Sequence, residues 1–262
     1  MPSTPQVAVF DTAFHSSIPS YASTYAISAE VAARYGIRRY GFHGTSAHYV
    51  TKQLAGLLDK PLGSINAIIC HIGNGASVTA VVDGLSVDTS MGMTPLEGLV
   101  MGTRSGDIDA GVLLHLARVA GYGVADIDRL LNRDSGLQGL AGVSDMRTVR
   151  ERALAGDEHA LLARSVYAYR IRKYIASYLG VVPSPDAIVF TAGVGENDSA
   201  LRQDIIGALG HLGLELDLNL NESKAAGDRV ISSAASSIRV MVVQTNEELE
   251  IAQQAASVVT PQ

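Results

Sequence analysis

The first apolar run along the chain, Val7-Ala8-Val9-Phe10, is short and β-branched and ends in Asp11-Thr12. It reads as a strand that carries a carboxylate at its C-terminal end. After a loop with Pro19, Ser28 is placed to cap a helix running to Tyr35, with Glu30 in its first turn and Gly36 just beyond its end. Thr45 or Ser46 is the expected cap of the next helix, over Tyr49, Val50, Leu54, Leu57 and Leu58. The period then changes to two. Residues 65–70 and 77–82 read as strands and 85–87 as the start of a third, joined by Gly73-Asn74-Gly75 and Asp83-Gly84. Asn-Gly and Asp-Gly supply the positive φ angles that tight hairpins need, which predicts an antiparallel meander.

After Asp109 the period becomes helical, first at Val112, Leu113 and Leu116 and then at Ile127, Leu130 and Leu131. A long amphipathic helix spans 157–179, with Leu161, Leu162, Val166, Tyr169, Ile171, Ile175 and Leu179 as its apolar positions. Ala187-Ile188-Val189-Phe190 reads as a buried strand running into a glycine-rich turn, after which Ser199 opens a helix. A last strand at 238–243 leads to Thr245-Asn246-Glu247-Glu248, which caps a terminal helix. The predicted class is therefore α/β, in the order βββαβαβα.

Composition narrows the function classes. The 262 residues are 47% apolar, enough for one large domain or two small ones. A net charge of −6 argues against a broad basic face for nucleic acid. The single cysteine, Cys70, excludes an internal disulfide and a Cys-rich zinc site, and its apolar run reads as a small buried thiol. No apolar stretch approaches the roughly 18 residues that span a bilayer. Residues 1–6 have neither a basic nor an apolar leader region, so a cytoplasmic protein without membrane partners is expected.

The commonest phosphate-binding patterns, G-x-x-x-x-G-K-[ST] and G-x-G-x-x-G between strand and helix, are missing. Instead, glycine-rich turns follow strands. His71-Ile72-Gly73-Asn74-Gly75 could be an ordinary hairpin turn, or one whose backbone N–H groups converge on an anion. Gly193-Val194-Gly195-Glu196-Asn197 lies between a strand and a helix, where free N–H groups favour phosphate. Arg104, flanked by small polar residues, suits bidentate binding of phosphoryl oxygens, or a surface ion pair with Asp107 or Asp109. Asp145-Met146-Arg147 is compatible with a plain helix start, as Glu247 and Glu248 are with a helix first turn. Asp11 and His43 are ambiguous singly.

Together these segments carry a resemblance. Val9-Phe10-Asp11-Thr12-Ala13-Phe14-His15 and Tyr35-Gly36-Ile37-Arg38-Arg39-Tyr40-Gly41-Phe42-His43-Gly44-Thr45-Ser46 resemble the acetate kinase signature. Residues 71–77, 88–98, 101–109, 190–197 and Thr245-Asn246-Glu247-Glu248 are similar to that family's later motifs, in the same order. The resemblance implies one lobe of the actin-like ATPase (ribonuclease H-like) fold and Mg²⁺-dependent phosphoryl transfer between ATP and acetate, giving acetyl phosphate and ADP. It implies Asp11, His43 and Arg104 as catalytic residues. His71, Ile72, Gly73, Asn74 and Gly75, with Asp145, Met146 and Arg147 and with Gly193, Val194, Gly195, Glu196 and Asn197, match its nucleotide-binding segments. Glu247 matches its magnesium ligand, with Glu248 the fallback if the register is off by one, and family members are typically homodimers.

The family is two-lobed, and the chain lacks its Asn-Ser-Gly-Ser phosphate loop. The resemblance therefore implies that 1–13 and 246–262 are a remnant of an N-terminal lobe. Residues 14–245 would form the C-terminal nucleotide-binding and dimerisation lobe. The readings that compete are a propionate or butyrate kinase, a nucleotide-binding and dimerising lobe without turnover, and, with least support, a hydrolase using Ser77 or Ser105.

Overall fold

The computed structural model describes residues 4–223, 225 and 227–259. The most apolar, β-branched segments pair into one six-stranded mixed sheet. Its strands are β1 (Ala67–Ile72), β2 (Ala76–Val82), β3 (Leu85–Thr89), β4 (Ala187–Thr191), β5 (Arg229–Val230) and β6 (Arg239–Val242). Their spatial order is β3-β2-β1-β4-β6-β5. The first three strands form the expected antiparallel meander, with Asp83 and Gly84 both at positive φ in its second turn; in its first turn, contrary to expectation, neither Asn74 nor Gly75 is at positive φ. β4 pairs parallel to β1, and β6 parallel to β4. The segments after β1, β4 and β6 therefore emerge together at one end of the sheet, where α/β folds place ligands.

Twelve α-helices accompany the strands among the described residues: α1 (Ser20–Ser23), α2 (Ala29–Tyr35), α3 (Gly44–Leu57), α4 (Ala110–Val119), α5 (Val124–Asn132), α6 (Gly136–Ala141), α7 (Met146–Leu154), α8 (Glu158–Leu179), α9 (Ala192–Asn197), α10 (Ser199–Gly207), α11 (Leu218–Glu222) and α12 (Glu247–Val259). Alternation along the strands splits the core in two. Ile68, Cys70, Ile188, Phe190 and Val240 face one way, into a cluster with Tyr167, Ile171 and Ile175 of α8. Ala67, Ile69, Val189 and Met241 face the other way, against Ala47, Val50 and Leu54 of α3. Complete burial of a side chain such as Leu54 contributes about 2 kcal/mol. α12 packs on α3, so it covers the second face only indirectly.

Where local signals are strong, the structure agrees with the sequence. α2 runs between a Ser28 cap and a left-handed Gly36, and α8 starts at Asp157, whose carboxylate accepts the His159 and Ala160 amides. Three expectations need correction. Residues 7–10 form no strand: they pair with none of the strands among the described residues, and Phe10 is 68% exposed. α3 begins at Gly44, capped by neither Thr45 nor Ser46, because Asp11 supplies the acceptors from a distance. Residues 192–197 coil into the short α9 instead of an open turn. The short edge strand β5 was not foreseen. No helix among the described residues is long and apolar enough to cross a membrane.

Candidate active site

The site starts from the docking of α3 onto the sheet. Asp11 Oδ2 accepts the His43 amide at 2.7 Å, its Oδ1 the Thr45 amide at 3.2 Å, and its backbone carbonyl the Gly44 amide at 2.9 Å. The free N–H groups of the helix start are thus satisfied by a residue remote in sequence. A Cβ at Gly44 would lie 2.3 Å from the Asp11 carbonyl oxygen, so this approach requires glycine. His43 holds a left-handed backbone, φ 57°, which aims its ring along the sheet end.

Because Asp11 does the capping, the Ser46 hydroxyl is free for other work. It lies 2.8 Å from His71 Nδ1 and 2.7 Å from Thr245 Oγ1. The His71 ring stacks on the His43 ring, centroids 4.1 Å apart, and His43 Nδ1 lies 2.9 Å from the buried Ser77 hydroxyl. At the far end, Glu196 Oε1 accepts the amides of Thr245 at 3.3 Å and Ala192 at 2.8 Å. A continuous file of contacts therefore crosses the ends of β2, β1, β6 and β4.

Burial sets the electrostatics. It pushes the His43 imidazole down to about 4, against the pull of Asp11, and the nearby Arg104 cation adds to the fall. His71 is driven well below the usual range by burial and then by His43. Both rings are neutral at neutral pH. His15 is lowered too, mainly by burial. Its Nε2 donates to the Phe42 carbonyl at 3.0 Å, so its Nδ1 accepts from Ser86.

Arg104 reaches the same place from the loop after β3. Its Nη1 donates to the Pro95 carbonyl at 3.0 Å. The alternative partners are engaged elsewhere: Asp107 accepts from Tyr174 and from the Gly98 amide, and Asp109 caps α4. A Cβ built on Gly75 would sit 3.4 Å from His43 Nε2 and 3.7 Å from Arg104 Nη1. His43 and Arg104 thus converge beside Gly75, within van der Waals reach of where a side chain there would begin.

Beside this centre lies a cavity of about 740 Å³. It brings together the exposed parts of all three expected nucleotide segments: Gly73 and Asn74, Asp145 to Arg147, and Gly193, Val194 and Asn197. Asp145 caps α7 through the Arg147 and Thr148 amides, and the Arg147 guanidinium foremost holds its carboxyl down to about 2. His71, Ile72, Gly75, Gly195 and Glu196 do not line the cavity. Ile72 and Gly195 are packed behind it, and a Cβ at Gly195 would touch Ile72 Cβ at 3.5 Å. Asp198 also lines it and was missed, as were Arg150, Glu151 and Leu154. The spacing of the last three from Arg147, at i+3, i+4 and i+7, is the signal that could have found them.

Glu247, in the first turn of α12, is half-buried, whereas Glu248 is exposed. Burial, then the negative charge of Asp11, raises the Glu247 carboxyl above its ordinary range. α12 is anchored by Glu250, which is wholly buried and bonded to His48 at 2.7 Å, Lys52 at 2.9 Å and Gln254 at 2.8 Å. Among the described residues no three His, Cys, Asp or Glu side chains cluster as a metal site.

Residues 1–253 match the acetokinase family. An acetate kinase of Leifsonia xyli subsp. xyli is 55% identical over 98% of this chain and 65% of its own length. The crystal structure of a propionate kinase from Francisella tularensis superposes with a TM-score of 0.92 at 47% identity, covering 97% of this chain and 64% of that one. Porphyromonas gingivalis acetate kinase gives 0.92 at 41% identity, covering 96% and 63%. The chain thus spans just under two thirds of the length of these relatives, and its fold is that of the actin-like ATPases. On the match that covers almost all of its residues, the chain belongs to the acetokinase family.

Proposed function

We propose that the chain carries the nucleotide-binding and phosphoryl-transfer half of an acetate kinase, acting with ATP or ADP and Mg²⁺ on acetate or acetyl phosphate. The observation that carries this reading is the convergence of His43 Nε2 and Arg104 Nη1 over Gly75, beside the cavity lined by Gly73, Asn74 and Gly193.

The chemistry asks little of a base. A carboxylate substrate with a pKa of about 4 is already ionised at neutral pH, so the barrier is one of charge and alignment. Arg104 binds the transferring phosphoryl oxygens, and neutral His43 donates to them from Nε2, with Nδ1 accepting the Ser77 hydroxyl proton. That use of Ser77, together with its burial, also argues against a serine hydrolase. The Asp145 carboxylate and the amides near Gly73 and Gly193 suit ribose hydroxyls and phosphates.

Asp11 and Glu247 fit a magnesium site by donor chemistry, as two carboxylates of which the first disfavours the charge of the half-buried second. Bound there, Mg²⁺ would neutralise phosphate charge, with phosphates and water completing its shell. The half-buried Glu247 is a better ligand than the exposed Glu248. ATP as phosphoryl donor assigns the reaction to the cytoplasm. Residues 1–13 and 246–262 are read as belonging to the second lobe of the whole enzyme. The exposed Val112, Leu114 and Val119 on α4 suit a homodimer contact.

The test is hydroxamate-trapped acetyl phosphate formation from ATP and acetate, with ADP protection against thermal unfolding measured alongside. Turnover that falls about a thousandfold in Arg104→Ala supports the assignment. Protection without turnover means a lobe that binds nucleotide but does not by itself complete the transfer. The absence of both turnover and protection would refute the reading. The likeness to a propionate kinase favours one second reading, a longer acyl substrate, which competition among acetate, propionate and butyrate decides.

A further inference from the structure

Among the described residues, the largest wholly buried side chain is a cation that the proposed chemistry does not use. Arg202, on α10, is 1% exposed. Its partners are neutral oxygens: Nη1 donates to the Gly195 carbonyl at 2.8 Å and the Glu196 carbonyl at 3.0 Å, Nε to Asn221 Oδ1 at 2.8 Å, and Nη2 to the Asn221 carbonyl at 2.8 Å. Asn221, also 1% exposed, donates its amide to the Ser199 carbonyl at 2.9 Å. Burial, and then repulsion from Arg229, lowers the Arg202 pKa to about 10, so the group remains charged at neutral pH.

A buried guanidinium without a bonded carboxylate is a costly way to fill space, and an aliphatic side chain would do that better. Its contacts show what it does instead. α9 is only six residues long, and the carbonyls of its last turn have no helical partners of their own. Arg202 occupies two of them at once and ties them through Asn221 to α11. The opposite end of α9 is held by the Glu196 carboxylate on the Ala192 amide. Between these two fastenings α9 presents Gly193, Val194 and Asn197 to the cavity.

We propose that Arg202 is a positioning residue for that cavity, clamping the end of α9 so that its exposed residues keep the shape that receives a nucleoside diphosphate. The inference rests on the nucleotide-binding reading. Its test is isothermal titration of ADP into the wild-type chain, Arg202→Met, Arg202→Lys and Leu54→Ala, all at a temperature where each is folded. Leu54 is the stability control, since it lies in the core on the other face of the sheet. Arg202→Met is expected to bind ADP about tenfold more weakly or worse, and Leu54→Ala within about twofold of wild type. Arg202→Lys falls between, because one ammonium cannot span both carbonyls and Asn221, and it serves alone should Arg202→Met fail to fold. Wild-type affinity in the Arg202 variants overturns the inference, as does an equal loss in Leu54→Ala. A wild-type chain that does not bind ADP withdraws the nucleotide reading itself, and this role with it.

Discussion

The neutral, buried state of His43 makes a quantitative prediction about acid stability. In the unfolded chain the imidazole takes up its proton as pH falls through 6.5, whereas in the folded chain it resists until about 4. Between those values the unfolded state binds more protons, so the contribution is fully present above pH 6.5 and is lost as pH falls toward 4. The whole difference amounts to about 3 kcal/mol, and by pH 5 roughly 2 kcal/mol of it is gone. The perturbation is His43→Asn, chosen because asparagine tolerates the left-handed backbone held at this position. Urea unfolding followed by circular dichroism at pH 7.5 and pH 5.0 measures the slope for both proteins. His71 and His15, also lowered by burial, titrate in both and largely cancel in the comparison. The variant should lose about 2 kcal/mol less than wild type between the two pH values. Equal losses would refute the argument, and so would a His43 ring signal that titrates by NMR near 6.5 in the folded protein.

Two further perturbations probe the scaffold. Gly41→Ala should lose about 3 kcal/mol in chemical unfolding, since its φ is +76° and its Cβ would sit 2.5 Å from Thr89 Cγ2 and 2.6 Å from His15 Cδ2. A variant of wild-type stability would mean that this approach is looser than described. Glu250→Ala should cost about 2 kcal/mol, discounted because Lys52 and His48 are partly exposed, and should speed hydrogen exchange across α12 more than across α8. Unchanged exchange in α12 would mean that its apolar contacts suffice to hold it on α3.

What could be read from the sequence was local or periodic. Ser28 and Gly36 bracket α2 because a cap and a left-handed glycine act within a few residues, and 65–89 read as a meander because alternation and turn chemistry coincide. The missing strand at 7–10 shows the limit, since a strand exists only with a neighbour and its own residues cannot say whether one is present. The misplaced start of α3 has the same cause, because the acceptors came from Asp11 and not from the nearby hydroxyls. Gly73, Asp145 and Gly193, named from the resemblance, do lie around one cavity, whereas Arg150, Glu151 and Leu154 needed the helix to be built first. Arg202 and Glu250 gave no signal at all. A lone arginine or glutamate on a helical pattern reads as a solvated face until tertiary packing covers it.

The file from Ser77 to Thr245 has an internal polarity. Ser46 owns one hydroxyl proton and has two neighbours, so either it gives to His71 Nδ1 and accepts from Thr245, or it accepts from His71 and gives to Thr245. In a neutral ring the choice fixes the other nitrogen as well. His71 Nε2, which points toward Gly73 at the cavity rim, is a donor in the first arrangement and an acceptor in the second. The rim of the sheet therefore holds a single two-valued variable, written at once into the hydroxyl beside α12 and the imidazole edge beside the cavity. Ser46→Ala would erase it, leaving each end to choose its hydrogen-bonding sense alone.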